Sequence, residues 1–410
     1  MAVANATLNP LGSSPLRSAL AATEDDRIVF DLDGIADRYH ALVAELPGIS
    51  VRFALKSCPV DEVLTHLADR GAGFDAASPN EIAQAKRCGA AVDKIHYGNT
   101  IKSDQNIAAA YALGVRDFAT DSVQDLKAIA THAPGARVFC RLATSGEGAL
   151  WGLSHKFGCS NDDAVAVMSA ARALGLTPAG LSVHVGSQQM TVGAWHQAID
   201  DLASTLIALK KRGIFLEHVN FGGGLPALGY LDRRGQPLEP RLDEMFAAIR
   251  QGMQRLRSVA GRDLAFVIEP GRHLVADHGV IRAHVVRLTT RTQRTGEREY
   301  WLYLSCGKFN GLNETDQLHY RLQFPNNPGG EYVSAFVAGP TCDGSDVFDR
   351  GHLVRVPITA ASGDPVWILS SGAYAVSYMT CGFNGFDPLP QLTVSGQAIG
   401  ADVASVGRNR

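Results

Sequence analysis

The sequence has no C-x-x-C pair, and its seven cysteines are an odd number without regular spacing. That argues against a disulfide framework and a cysteine-based zinc site, and no metal-ligand set is expected. A reducing, cytoplasmic setting fits this usage. There is no long run of lysine and arginine, and the net charge is −3. A nucleic-acid-binding face is therefore not expected. No apolar stretch is long enough to span a bilayer. The opening "MAVANATLNPLGSSPLRSALAATEDDR" lacks the charged start and apolar core of a secretory signal. Interrupted by proline and glycine, residues 1–26 read as a flexible tail. No internal repeat is present. What remains is a composition of 46% hydrophobic and 19% charged residues, which suits a globular protein with a sizeable core. A chain of 410 residues suits two domains.

Between Val51 and Arg272 the pattern alternates. Short apolar runs that read as buried strands are "VRFALK", "AGFDA", "IHYGN", "DFAT", "VFCRLA", "GLSVHV", "VNFGG" and "FVIEP". Amphipathic segments fill the gaps. Ser78-Pro79-Asn80-Glu81 is a capping box that starts one helix. Ile35, Tyr39, Leu42, Val43 and Leu46 mark a helix before the first of these strands. Eight strands alternating with helices imply a closed (β/α)8 barrel over residues 27–272. An open doubly wound sheet would want a glycine fingerprint after its first strand, and "FALKSCPVDE" has none. From residue 273 to 410 the texture is β-rich with turn-like breaks, as in "GVIRAHVVRLTT" and "REYWLYLSC". This predicts a C-terminal all-β domain, to which residues 27–32, "RIVFDL", could contribute a strand.

In such a barrel, chemistry gathers at the C-terminal ends of the strands. Those ends carry Lys56, Asp75, Asn99, Arg141, His184, Gly222 to Gly224 and Glu269. Singly, each has an ordinary structural reading: a solvated charge, a core histidine, a turn, an ion pair. Together they form one site. A lysine ending an apolar strand is a candidate amine nucleophile if burial lowers its pKa. Consecutive glycines offer backbone N–H groups to a phosphate. Gly271 and Arg272 could add an N–H and a charge. Glu269 suits a cationic ring nitrogen, and His184 could lie flat on a planar ring. These features describe a site for pyridoxal 5'-phosphate (PLP). The loop "AGPTCDGSDVFDR" adds a lone thiol, Cys342, beside Asp343.

The motifs "FALKSCP", "GFDAASPNEI", "HVGSQ", "FGGG", "EPGR", "GPTCDGSD" and "FNGF" occur in this order. The set resembles the ornithine/lysine/diaminopimelate decarboxylase family, the fold-type III PLP-dependent decarboxylases. The resemblance implies an alanine racemase-like PLP barrel followed by a β domain. It implies that Lys56 is the Schiff-base lysine, with Asp75 and Glu81 as acids near it. Arg141 would support a ring oxygen, and His184 would stack on the ring. Ser187, Gly223, Gly224, Gly271, Arg272 and Tyr374 would serve the phosphate, and Glu269 the ring nitrogen. By the same resemblance, the partner of a homodimer supplies Cys342 to protonate the α-carbon, so the active sites are shared. Asp343 would read the distal amine of the substrate, with Glu314 and Asp316 of "GKFNGLNETDQLHY" as further acids. Cys-Asp-Gly is similar to the ornithine/lysine branch, whereas diaminopimelate enzymes usually show Cys-Glu-Ser. The implied activity is a carboxy-lyase of polyamine biosynthesis, forming putrescine from L-ornithine and/or cadaverine from L-lysine. Two alternatives stay open: a decarboxylase of an unusual or carrier-tethered amino acid, and a non-catalytic regulatory homologue.

Overall fold

A computed structural model of the chain describes residues 14–152, 156–348, 351, 353–396 and 398–399. The chain divides into two compact units. One comprises residues 38–226 and 240–271, the other residues 1–37, 227–239 and 272–410.

The first unit is a closed barrel of eight parallel strands. In chain order they are Ile49–Ala54, Gly73–Ala76, Ile95–Tyr97, Asp117–Thr120, Arg137–Arg141, Thr177–Ser182, His218–Asn220 and Ala265–Ile268. The eighth closes on the first through Phe266 opposite Ile49 and Ile268 opposite Val51. All eight are the strands expected from the sequence. Serines punctuate the passage from strand to helix. Ser78, Ser103, Ser122 and Ser160 each cap a helix by accepting the N–H three residues on, which satisfies a donor the helix leaves unpaired. At the expected capping box, Glu81 takes the N–H of Ala77, 2.6 Å away, rather than that of Ser78. Rings that fill the unit include Phe53, Phe74, Phe118, Phe139, Phe221 and Phe266, all fully buried.

The second unit is built on a nine-stranded mixed sheet. Its long strand Gly279–Thr292 pairs antiparallel with Arg27–Asp31, Arg298–Leu304 and Pro365–Ile368. A register shift between Val285 and Arg287 falls where the strand passes from pairing with Arg27–Asp31 and Pro365–Ile368 to pairing with Arg298–Leu304. Arg27–Asp31 is a strand of this sheet, where it also runs parallel to Gln391–Ser395.

Three features depart from the sequence reading. Residues 14–22, expected in a flexible tail, include the helix Ser14–Ala22. Its Leu16, Ala19 and Leu20 are buried among Val29, Val280, Leu369, Leu392 and Val394. The i, i+3, i+4 spacing of those residues is the helical signal, overlooked amid the small residues around it. The remainder of that segment before residue 14 lies outside the described residues. Residues 227–239 also belong to the sheet unit, so the barrel region is interrupted there. Val43, read as part of a buried stripe, is 37% exposed.

Candidate active site

Lys56 lies in a single 3-10 turn, Leu55–Ser57, directly after the first barrel strand. Its Nζ is 3.9 Å from Asp75 Oδ2, on the second strand. The side chain is 56% exposed, whereas that of Asp75 is 8% exposed. Desolvation, the sequence argument for a reactive lysine, is thus not what sets this one apart; the facing carboxylate is. Burial works to raise the Asp75 pKa, but the hydrogen bond from His96 and the charge of Lys56 outweigh it and bring it down to about 2. Gly271 passes close to this turn. A Cβ there would come within 2.9 Å of the Ser57 side chain, so glycine permits the approach.

His184 follows the sixth strand. Its Nδ1 accepts the N–H of Gly223 at 3.1 Å. A ring nitrogen that accepts must be unprotonated, so the hydrogen of the neutral ring sits on Nε2. Burial, together with the charges of Arg141 and Lys56, pushes the His184 pKa down to about 3. The ring is therefore a neutral flat surface at physiological pH. Arg141 ends the fifth strand, and burial lowers its pKa.

The glycine run needs glycine. Gly222 and Gly224 hold φ of +65° and +123°, and a Cβ on Gly222 would lie 2.0 Å from the Val183 carbonyl oxygen. The run offers fewer open donors than the sequence suggested. The N–H of Gly222 goes to Asn220 Oδ1 at 2.8 Å, and that of Gly223 goes to His184. Among the described residues, only the Gly224 N–H of the three has no hydrogen bond.

Glu269 follows the eighth strand, its N–H bonded to the Gly222 carbonyl at 2.9 Å. Its Oε1 receives the Asn220 amide at 2.5 Å and faces His96 Nε2 at 2.9 Å. The same Nε2 is 3.1 Å from Asp75 Oδ1. Burial and the charge of Arg52 would lower the His96 pKa, but the two carboxylates raise it. Asp75, His96 and Glu269 are also the one grouping of metal-ligand residue types among the described residues. His96 joins the two carboxylates through the one nitrogen. Sequence reasoning missed His96 and Asn220. Each is a buried polar residue in a short, mostly apolar barrel strand, and that incongruity was the available signal.

The remaining expected residues lie in the sheet unit. Arg272 is 4% exposed and bonds both oxygens of Glu314, at 2.5 and 2.6 Å, and the Tyr230 hydroxyl at 3.0 Å. Its guanidinium is 4.8 Å from the centre of the Tyr374 ring. Burial opposes the Arg272 charge, while Tyr230 and Glu314 secure it. Tyr374 has a φ of +62°, a strained conformation that a tyrosine rarely adopts and that clusters at functional sites. Asp316 pairs with Lys308 at 2.5 Å. Glu314 and Asp316, expected as acids for a distal ammonium, are thus each paired with a basic side chain. Cys342 and Asp343 are exposed. The N–H of Cys342 goes to Asn384 Oδ1 at 2.9 Å, and Asp343 Oδ1 accepts both donors of Ser345, which lowers its pKa. The loop is pinned by Asp346, a third residue that sequence reasoning missed. Its buried carboxylate accepts from the N–H and hydroxyl of Thr341 and the N–H of Lys308.

Comparison with known proteins decides the family. The pyridoxal-binding domain of the pyridoxal-dependent decarboxylases matches residues 32–276, and their C-terminal sheet domain matches residues 202–372. The chain belongs to the pyridoxal-dependent decarboxylases. This decarboxylase is 29% identical to a lysine/ornithine decarboxylase of Selenomonas ruminantium over 370 residues, 90% of each chain. It is 28% identical to the ornithine decarboxylase of Schizosaccharomyces pombe, covering 89% of this chain and 82% of that one. The solved structure of lysine/ornithine decarboxylase from Vibrio vulnificus, complexed with cadaverine, is similar with a TM-score of 0.80 at 27% identity, covering 93% of this chain and 97% of that one.

The cofactor of the decarboxylase is PLP, and the barrel residues fit it. Lys56 supplies an amine beside a carboxylate, His184 a neutral flat ring, and Gly224 an N–H with no partner among the described residues. Glu269 supplies a carboxylate whose Oε1 alone is engaged among the described residues.

Proposed function

We propose that the decarboxylase removes the α-carboxylate of a basic L-amino acid, L-ornithine or L-lysine, giving putrescine or cadaverine. The observation that carries this reading is the set of Lys56, Asp75, His184 and Glu269 at the ends of barrel strands, with Glu269 held by Asn220 and His96. On the substrate side, support comes from the likeness to proteins named lysine/ornithine decarboxylase.

Bound PLP supplies the electron sink for the pair left behind as CO2 departs. Lys56 holds the cofactor. Glu269 keeps a proton at the ring nitrogen, Arg141 supports the ring oxygen, and His184 lies against the ring. The Gly224 N–H, Ser187, Arg272 and Tyr374 serve the phosphate. Gly223 spends its N–H on His184 and so orients the stacking ring. Cys342 returns a proton to the α-carbon, and Asp343 meets the distal ammonium. The working form is a homodimer with shared sites in the cytoplasm, within polyamine biosynthesis. No helix among the described residues is long and apolar enough to cross a membrane.

One observation favours a second reading, an unusual or carrier-tethered amino acid. Of the three carboxylates assigned to the distal ammonium, Glu314 and Asp316 are engaged by Arg272 and Lys308. Amine-product analysis of the PLP-loaded protein separates the two. Putrescine or cadaverine from the free amino acids supports the first. Turnover of neither, nor of arginine or meso-diaminopimelate, supports the second.

A further inference from the structure

Glu269 has one oxygen already claimed. Oε1 accepts from the Asn220 amide at 2.5 Å and faces His96 Nε2 at 2.9 Å, while among the described residues no hydrogen bond reaches Oε2. His96 sits on the third barrel strand, 1% exposed, with Phe139 against its ring at 5.1 Å. The same Nε2 is 3.1 Å from Asp75 Oδ1, and the other oxygen of Asp75 faces Lys56. Both neighbours are acceptors, so Nε2 carries the hydrogen and is shared between them. One continuous series results: Lys56, Asp75, His96, Glu269, Asn220. An imidazole buried beside two carboxylates carries a desolvation cost that an apolar residue filling the same volume would not. Simple packing gives no reason for it.

We propose that His96 is a positioning residue of the cofactor site: its Nε2–H ties the carboxylate beside Lys56 to the carboxylate that meets the ring nitrogen, and so holds Glu269 with Oε2 presented. This rests on the pyridoxal reading of Lys56 and Glu269. The groups that act on His96 come from several strands. They are Arg52 on the first, Asp75 on the second, His218 on the seventh and Glu269 after the eighth. Asp117 is its register neighbour on the fourth.

The test compares wild type with His96→Gln and His96→Ser, each loaded with PLP. Glutamine keeps an N–H donor of similar reach; serine is too short for either carboxylate. Two quantities are measured besides turnover: the Kd for PLP by equilibrium dialysis, and the pH midpoint of the visible absorbance of the loaded protein. His96→Ser should weaken PLP binding at least about tenfold, whereas His96→Gln should stay within about threefold. In both variants the midpoint should move up by about half a unit or more. The carboxylates lose the imidazole, and their charge then favours the protonated nitrogen at Lys56. Loss should fall on kcat rather than KM. Thermal melting checks that each variant folds. If His96→Ser does not fold, the midpoint of His96→Gln decides: moved, it supports the role, and unchanged, it overturns it. Wild-type affinity and midpoint in a folded His96→Ser also overturn it. A wild-type protein that takes up no PLP refutes the pyridoxal reading itself, whereas wild-type uptake with silent variants refutes only the role of His96.

Discussion

Charge placement at single residues decides the chemistry. The clearest case is Glu269. Replacing it with glutamine keeps the size and removes the charge that would hold a protonated ring nitrogen. Glu269→Gln should bind PLP yet lower kcat by about a hundred- to a thousandfold, the usual range for losing one preorganised charge-stabilising group. Steady-state kinetics checks this. A second expectation concerns acid stability. Burial holds the His184 and His218 pKa values down to about 3, against about 6.5 in the unfolded chain. Between those values the unfolded chain takes up protons that the folded chain refuses, so stability falls as pH drops from about 6.5 towards 3. Asp75 has the depressed-carboxylate sign. Its contribution is present above about pH 4 and disappears as pH falls through about 2. Denaturant unfolding from pH 7 to 4 should therefore show declining stability, and a shallower decline in His184→Gln. At this scale the sequence was readable where a residue ends a strand, as Arg141 does, or stands just beyond it, as Lys56 and Glu269 do. It was not readable where a side chain already serves another residue. That Glu314 would embrace Arg272, and that Gly223 would donate to His184, depends on contacts between distant segments, which no local pattern encodes.

Single elements show the same division. The eight barrel strands were legible because each is a short apolar run bounded by a turn or a capping serine. The helix Ser14–Ala22 was missed because it is short, alanine-rich and carries Pro15 in its first turn. Its buried Leu20 gives a direct check. Leu20→Ala should destabilise the protein by about 2–5 kcal/mol, as for other buried leucines, measured by denaturant unfolding. An exposed tail would lose nothing. The loop "GPTCDGSD" is likewise fixed by an element-level device. Asp346 gathers three donors, and a Cβ on Gly339 would meet its carboxylate. Asp346→Ala should lower kcat in the same direction as Cys342→Ala while leaving PLP affinity within about threefold of wild type. Equal activity of Asp346→Ala and wild type would separate the shape of the loop from its function.

For the whole molecule, the motifs are distributed over two units. Lys56, His184 and Glu269 lie in the barrel unit, and Arg272, Tyr374 and Cys342 in the sheet unit. The overall architecture was visible in the change of texture near residue 273, while the insertion of residues 227–239 into the sheet unit was not, because a brief loop has no texture of its own. If Cys342 serves the partner's site, mixing Lys56→Ala with Cys342→Ala subunits should restore activity. In a mixed dimer one site receives both changes and the other neither, so random exchange of equal amounts should return roughly a quarter of wild-type activity. No recovery after proven subunit exchange would mean that each chain uses its own thiol. All of this presupposes that PLP is held at Lys56, and one measurement addresses that directly. The PLP-loaded protein is reduced with borohydride and its peptides are mapped. A single label on Lys56, with loss of the visible absorbance, is the predicted result. Label on another lysine, or no label on a protein that binds PLP and turns over substrate, would contradict it.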